Sequence, residues 1–199
     1  MMTLLTLLLL LAPAGPTRLD DVAKALRSSP AWQVRFVQTY LPAGFESGAS
    51  DEGDLFVAVP DRLRFDYRGE SPRVFAVDGL VAREVDAAAA TCRAFRLDRG
   101  TWSRLPLAAI LDPGGADAAF VVEAGTTGVR LVPRVANPDL AAVLITVSAD
   151  GLPSEIVVED PAGNRNRFRL RDWRALPAFD RALFAPHLPS QPPCPPDEW

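Results

Sequence analysis

The chain has 199 residues, of which 48% are apolar and 23% are charged, and this length is enough for one domain with its own core. This composition excludes an intrinsically disordered protein. The formal net charge is -4 and Lys24 is the only lysine, so the chain lacks the concentrated basic face that nucleic-acid binding requires.

Residues 1–14 are typical of a secretory signal peptide. The run from Thr3 to Leu11 is almost entirely leucine but is too short to span a bilayer, and Ala12-Pro13-Ala14 places small residues where a signal peptidase reads. We expect these residues to be cleaved and the protein to be soluble outside the cytoplasm. Residues 15–185 are expected to form a single domain, and residues 186–199 a Pro-rich tail.

The first predicted element after the signal peptide is a short amphipathic helix. It begins near Leu19, where apolar residues recur at helical spacing, and Pro30 is expected to end it. Thr17 or Asp20 can cap its amino terminus. Residues 32–40 then read as a strand.

The central feature of the chain is a hairpin predicted over Gly53–Tyr67. Pro60-Asp61 favours a chain reversal between two runs that are rich in β-branched and aromatic residues. Alternation gives the hairpin one fully apolar face. Its other face is also partly apolar, because it carries Phe56 and Ala58, so the sheet needs a cover or a ligand.

A second group of strands follows the hairpin, at residues 73–77, 80–85 and 92–97. Asp78-Gly79 joins the first two and predicts a type I′ turn, since both central positions of that turn need a positive φ.

The pattern then changes to helical spacing at residues 102–111, and Asp112-Pro113-Gly114-Gly115 is expected to end that helix. The helix is either ordinary structure packed on the sheet or a lid over its concave face. Strands are predicted again at residues 118–123, 129–132, 141–147, 154–159 and 165–173. About ten strands joined mostly by short reversals indicate a mainly β fold with one strongly curved antiparallel sheet.

Four arginines at alternate positions from Arg165 to Arg171 share one face of the last strand. They could form a basic docking surface. We favour a solvated face, because pairing across the strands to Glu155 or Glu159 is sufficient to account for these charges.

The chain offers little that could carry out catalysis. His187 is the only histidine, and there is no nucleophile elbow, phosphate-binding Gly-rich loop or His/Cys metal spacing. Asp66, Asp78 and Asp86 could supply a pair of carboxylates, but two of them fit turn or strand-edge positions. The sequence therefore predicts a binding protein that is not an enzyme and needs no cofactor or metal.

Cys92 and Cys194 are the only cysteines. An oxidising compartment would allow them to form a disulfide that ties the tail to the sheet. The alternative is two unpaired thiols, since sequence alone does not fix the separation of their Cα atoms.

A series of short segments runs in order over nearly the whole chain beyond the signal peptide. They are Phe36-Val37-Gln38, Gly53-Asp54-Leu55-Phe56-Val57 with Pro60 and Phe65, Val77-Asp78-Gly79, Leu105–Leu111, Val129–Pro133, Asp150-Gly151-Leu152 with Asp160 and Asn164, and Leu183-Phe184. Each segment is weakly specific, but in their order and spacing they resemble the periplasmic outer-membrane lipoprotein carrier family (LolA-like).

The resemblance implies an incomplete antiparallel β-barrel, covered by short lid helices, whose apolar cavity takes the acyl chains of a lipoprotein. It also implies a monomeric periplasmic shuttle without cofactors. Such a shuttle receives cargo from an inner-membrane ABC lipoprotein-release complex and delivers it to an outer-membrane acceptor. Two alternatives stay open: a lipid- or lipoprotein-sensing regulatory protein on the same fold, and an enzyme on the same scaffold.

Within such a fold, side-chain alternation predicts which residues bind the ligand and which form the lid. The ligand-binding residues of the cavity are predicted to be Val34, Phe36, Leu55, Val57, Val59, Leu63, Phe65 and Tyr67. The lid residues are predicted to be Leu107, Ile110 and Leu111. The alternative for all of them is core packing. Val59 departs from the family, whose members carry at that position an arginine that holds the lid shut.

Overall fold

The computed structural model describes residues 17–69, 71–98, 106–189, 191–192 and 194–195. The predicted signal peptide and the first part of the helix predicted at residues 102–111 lie outside these ranges.

The described chain is built mainly of β-strands. The strands are β1 (Ala31–Leu41), β2 (Ser50–Ala58), β3 (Arg62–Arg68), β4 (Arg73–Asp78), β5 (Val81–Asp86), β6 (Thr91–Arg96), β7 (Phe120–Ala124), β8 (Gly128–Pro133), β9 (Ala142–Val147), β10 (Pro153–Glu159) and β11 (Arg165–Leu176). The helices are α1 (Leu19–Leu26), α2 (Pro106–Leu111), α3 (Pro113–Ala119) and a 3₁₀ helix (Arg181–Phe184).

All eleven of these strands belong to one sheet, in the order β6-β5-β4-β3-β2-β1-β11-β10-β9-β8-β7. Neighbouring strands are antiparallel throughout, and the sheet is not closed into a barrel. The prediction of an open, curved antiparallel sheet with short helices is therefore confirmed. The first and last strands pair at its centre, and β6 and β7, which are consecutive in the chain, form its two opposite edges.

The central hairpin is confirmed, with β2 and β3 paired in the register Leu55 opposite Phe65. The next hairpin is also present, but the prediction of its turn was wrong. Asp78 is the last residue of β4 and pairs with Val81, so the two-residue loop is Gly79-Leu80. Gly79 has a φ of 62°, but the second loop residue, Leu80, does not have a positive φ, which excludes type I′. The burial of Val77 on the inner face fixes this register.

Helix α1 begins at Leu19, as predicted, but its cap and its end differ from the prediction. Its N-cap is Arg18, whose backbone N–H donates to the carboxylate of Asp21 at 3.3 Å, so neither Thr17 nor Asp20 caps it. An acidic residue at the third helical position can reach back in this way. The helix ends at Leu26, before Pro30, and the indole N–H of Trp32 donates to the Leu26 carbonyl at 2.7 Å.

The segment Asp112-Pro113-Gly114-Gly115 ends α2, as predicted, but it also begins α3, which the prediction missed. Asp112 is the N-cap of α3 and accepts a hydrogen bond from the backbone N–H of Gly115 at 3.2 Å. A Cβ at Gly115 would lie 2.6 Å from the Asp112 carboxylate, so glycine makes room for the cap. The strand predicted from Ala118 consequently starts at Phe120. An Asp N-cap followed by Pro starts a helix strongly enough to outweigh the two glycines.

A C-terminal strap, which we define as the described residues from 177 to 195, covers the partly apolar outer face of the hairpin. Phe184 is buried there in a cluster with Ala31 and Ala58. The guanidinium of Arg64 donates to the Leu183 carbonyl at 2.6 Å. Leu188, near the start of the predicted Pro-rich tail, is also buried.

A disulfide bond joins the strap to the edge of the sheet. Cys92 in β6 and Cys194 are disulfide-bonded, with their Cα atoms 6.1 Å apart. The bond closes a loop with a sequence separation of 102 residues. The strap therefore spans the outer face from β1 to β6.

Of the four arginines at alternate positions in β11, Arg169 and Arg171 are exposed, whereas Arg165 and Arg167 are partly buried. Arg169 pairs with Glu155 across β10 and β11 at 3.5 Å, and 65% of the arginine side chain is exposed. Arg165 approaches Glu46 at 3.4 Å. The predicted cross-strand pairing is therefore seen for Glu155.

Candidate functional site

An apolar cavity of about 240 Å³ opens on the inner face of the sheet. Strands β2, β3 and β4 form one wall and strands β10 and β11 form the other. The described lining residues are Leu55, Leu63, Phe65, Phe75, Val77, Ile156, Val158, Asn166, Phe168 and Leu170. All of these side chains except Asn166 are apolar.

Strand register brings these side chains together. Leu63 lies opposite Val77 across β3 and β4, and Ile156 lies opposite Phe168 across β10 and β11. Directly opposed residues of antiparallel strands point to the same face, so each such pair adds two apolar side chains to the wall. The two walls meet because β1 lies between β2 and β11.

Phe65 is the centre of an aromatic cluster in this wall. Its ring lies 5.4 Å from Phe36, 6.1 Å from Tyr67, 6.5 Å from Phe75 and 5.9 Å from Phe168, measured between ring centroids. At these separations, aromatic pairs contribute a favourable interaction energy in addition to that from the surface area they bury.

Gly53 makes room for this cluster. A Cβ at Gly53 would lie 1.9 Å from the Asp66 carbonyl oxygen and 2.9 Å from the ring of Phe36. The position therefore accepts no side chain without a shift of the backbone of β3.

A chain of hydrogen bonds crosses β3, β1 and β11 beside the aromatic cluster. The hydroxyl of Tyr67 donates to Oε1 of Gln38 at 2.7 Å, and Nε2 of Gln38 donates to Oδ1 of Asn166 at 2.9 Å. The guanidinium of Arg73 lies 4.2 Å from the centre of the Tyr67 ring and pairs with Asp51 at 3.0 Å. A polar strip therefore borders the otherwise apolar cavity.

Burial raises the pKa of Tyr67 from 10.0 to about 12, against the opposing effect of the Arg73 charge.

We expect the Tyr67 hydroxyl to ionise at a higher pH than an ordinary tyrosine. The folded state holds the proton more tightly than the unfolded state, so the contribution of Tyr67 to stability is complete below pH 10 and is lost between about pH 10 and 12. A spectrophotometric titration of tyrosinate absorbance should show a step near pH 12 that is missing from Tyr67→Phe. If that variant keeps the late step, the assignment to Tyr67 is wrong.

The structure distributes the eight predicted ligand-binding residues over three environments. Leu55, Leu63 and Phe65 line the cavity. Val34, Phe36 and Val57 are buried in the surrounding core cluster, and Val59 and Tyr67 are partly buried against it. Whether any of them contacts a ligand stays a prediction.

The predicted lid residues Ile110 and Leu111 are buried in the same core cluster and, among the described residues, are not part of the cavity wall. The side chain of Leu107 lies outside what the structure describes. Helix α2 packs between α1 and α3, and α3 contacts β7. Val59 packs partly buried against the core cluster.

Sequence reasoning missed seven wall residues. They are Phe75, Val77, Ile156, Val158, Asn166, Phe168 and Leu170. Alternation in β11 puts Phe168 and Leu170 on the face opposite its arginines. The missing information was that β11 pairs with β1, which turns that face toward the β2–β4 wall.

No group of three or more His, Cys, Asp or Glu side chains in the described part of the chain could hold a metal ion. Among the same residues, none of the helices has the length and apolar character needed to cross a membrane.

The fold is similar to that of several solved structures. A LolA superfamily protein from Nitrosomonas europaea aligns with a TM-score of 0.50 and 10% identity, over 83% of this chain and 94% of that chain. MucB in its complex with MucA from Pseudomonas aeruginosa aligns with a TM-score of 0.46 and 14% identity, over 83% of this chain. This chain spans 58% of the length of the chain matched in that complex.

A putative outer-membrane lipoprotein-sorting protein domain from Vibrio parahaemolyticus aligns with a TM-score of 0.44 and 8% identity, over 83% of this chain and 95% of that chain. Comparison with curated proteins gives no significant match. The family model described as outer membrane lipoprotein carrier protein LolA matches residues 27–187. This chain therefore belongs to the LolA family.

Proposed function

We propose that this protein is a periplasmic carrier that holds the acyl chains of lipoproteins in its apolar cavity and moves them from the inner to the outer membrane. The observation that carries the proposal is the cavity itself, a hollow of about 240 Å³ with nine apolar side chains among its ten described lining residues. Family membership supports lipoproteins as the class of cargo.

The energetics of an acyl chain require such a hollow. Each buried methylene is worth about 0.8 kcal/mol, so a chain of about fifteen methylenes loses roughly 12 kcal/mol on leaving a membrane for water. A carrier must supply an apolar surface that offsets most of this loss. It must also release the chain, which favours a surface of separate side chains over a permanently closed chamber.

The cavity is small for a ligand of this class. Ligand pockets usually measure about 300–1,000 Å³, which is above the 240 Å³ found here. A multiply acylated cargo therefore requires the cavity to widen. The open sheet permits this, because no strand pairing between β6 and β7 has to break.

As a carrier, the protein would act as a monomer with two protein partners, an inner-membrane ABC lipoprotein-release complex and an outer-membrane acceptor. This part of the proposal is supported by family membership. It involves no nucleotide or metal bound by the carrier itself.

Filling the cavity should abolish cargo binding. Val158 lines the cavity, whereas its neighbour Val157 faces the other side of β10. In Val158→Trp, the indole occupies space that the acyl chain needs, and we expect the amount of acylated peptide that copurifies from the periplasm to fall at least tenfold. Mass spectrometry of the purified protein measures it.

Val157→Trp is the matched control, since it adds the same side chain to the same strand on the outer face. It should retain acylated peptide at the wild-type level. The proposal fails if wild-type protein carries no acylated peptide, or if Val158→Trp carries as much as Val157→Trp.

A further inference from the structure

We propose that Asn166 recognises the carbonyl oxygen of an acyl ester or amide, and that Tyr67 and Gln38 position its side chain for this contact. The inference rests on the proposed function, because it assumes that the cavity takes acyl chains. It adds to that function a specificity-determining residue and an orientation for the ligand.

The chain of hydrogen bonds has one direction. Tyr67 donates to Gln38, and Gln38 donates to Oδ1 of Asn166. The acceptor atom of Asn166 is thereby used, and its Nδ2 keeps both N–H donors. Within the described residues, Nδ2 makes no hydrogen bond.

Asn166 is also the one polar side chain among the described lining residues of the cavity. A polar group on an apolar wall costs free energy when a ligand displaces its water, unless the ligand replaces the lost hydrogen bond. The ligand that fits this wall is therefore apolar along most of its length and carries a hydrogen-bond acceptor where it passes Asn166.

The acceptor should be uncharged. No Arg, Lys or His side chain belongs to the wall as far as the chain is described. Arg73 lies against the Tyr67 ring and is paired with Asp51. Phosphate or carboxylate in the cavity would lack a partner charge, which is costly. An ester or amide carbonyl, the group that joins an acyl chain to glycerol or to an amino group, meets the requirement.

The position of Asn166 sets the direction of the ligand. Asn166 lies opposite Val158 and Tyr40, at the end of the sheet away from α1. Leu170, on the same strand, lies toward the other end, opposite Phe36. The carbonyl group would therefore remain near the Asn166 end, with the methyl end of the chain directed toward the helices.

The test compares three probes of equal chain length: methyl laurate, dodecyl methyl ether and laurate. Their dissociation constants are measured by competition with a fluorescent apolar probe at pH 8. Wild-type protein should bind the ester more tightly than either of the others. Asn166→Leu should weaken ester binding about two- to twelvefold, the range for one net hydrogen bond, and leave ether binding within twofold.

A second variant tests the loss of the N–H donors without a change in the shape of the side chain. Asn166→Asp keeps an oxygen for Gln38 but removes the N–H donors, so it should weaken ester binding at least as much as Asn166→Leu. Thr39→Val, on the exposed outer face of β1, is the control and should change neither constant.

The outcomes distinguish this inference from the proposed function. If Asn166→Leu leaves the ester-to-ether ratio unchanged, or if laurate binds as tightly as the ester, the role of Asn166 is refuted and acyl-chain binding stands. If wild-type protein binds none of the three probes, both proposals fail.

Discussion

Replacing Phe65 by alanine is expected to lower the free energy of unfolding by about 3–5 kcal/mol, the usual range for a buried phenylalanine. Only 6% of Phe65 is exposed, and its ring neighbours four other aromatic rings. Removing the ring leaves a gap beside the existing cavity. The remaining aromatic rings can fill this gap only if they give up their present contacts. Loss of the edge-to-face contact with Phe36 adds to the cost of burial.

Urea unfolding, followed by tryptophan fluorescence, measures the effect on Phe65→Ala. Phe45→Ala is the matched control, because 60% of Phe45 is exposed on the loop after β1 and its truncation should cost less than about 0.5 kcal/mol. A loss below about 1 kcal/mol for Phe65→Ala would show that the aromatic cluster is not a packed part of the core.

Breaking the bond between Cys92 and Cys194 should produce a destabilisation of similar size. The bond closes a loop with a sequence separation of 102 residues, and the chain-entropy model gives about 4.7 kcal/mol for a loop of about 100 residues. The structure adds a local effect, because the released strap would be held mainly by Phe184 and by the contact between Arg64 and Leu183.

Thermal unfolding with and without a reducing agent tests this expectation. Wild-type protein should unfold at a clearly lower temperature when reduced, by about 2–4 °C per kcal/mol lost. A variant in which both Cys92 and Cys194 are alanine should resemble the reduced protein and should not respond to the reducing agent. Equal melting temperatures for reduced and oxidised protein would show that the bond contributes nothing to stability.

The strands could be predicted from the sequence because each carries its own signal. Alternating side chains mark β3, and Pro60-Asp61 marks the reversal before it, so the hairpin needed no knowledge of the rest of the fold. The pairing of β1 with β11 could not be predicted in this way. It joins two distant segments, and nothing in either one specifies its partner.

Because the pairing of β1 with β11 could not be predicted, the cavity wall formed by β10 and β11 was missed as well. Phe168 and Leu170 were placed on a common face, but that face becomes a cavity wall only because β11 lies beside β1. Alternation also does not separate core from cavity. Val34 and Leu55 are both fully buried on the inner face, yet only Leu55 reaches the described wall of the hollow.

The start of α3 was missed for a local reason. Asp112-Pro113 favours a helix start, whereas Gly114-Gly115 favours a stop, and the sequence carries both signals at one point. The contact between the Asp112 carboxylate and the backbone of Gly115 decides the outcome, and it requires the helical geometry to exist first.

β6 and β7 are the two free edges of the sheet, and α2 and α3 lie between them in the chain. A carrier of the proposed kind has to widen its cavity for a bulky cargo. Because α2 and α3 belong to the connection between the two edges, we expect any separation of these edges to displace both helices as well.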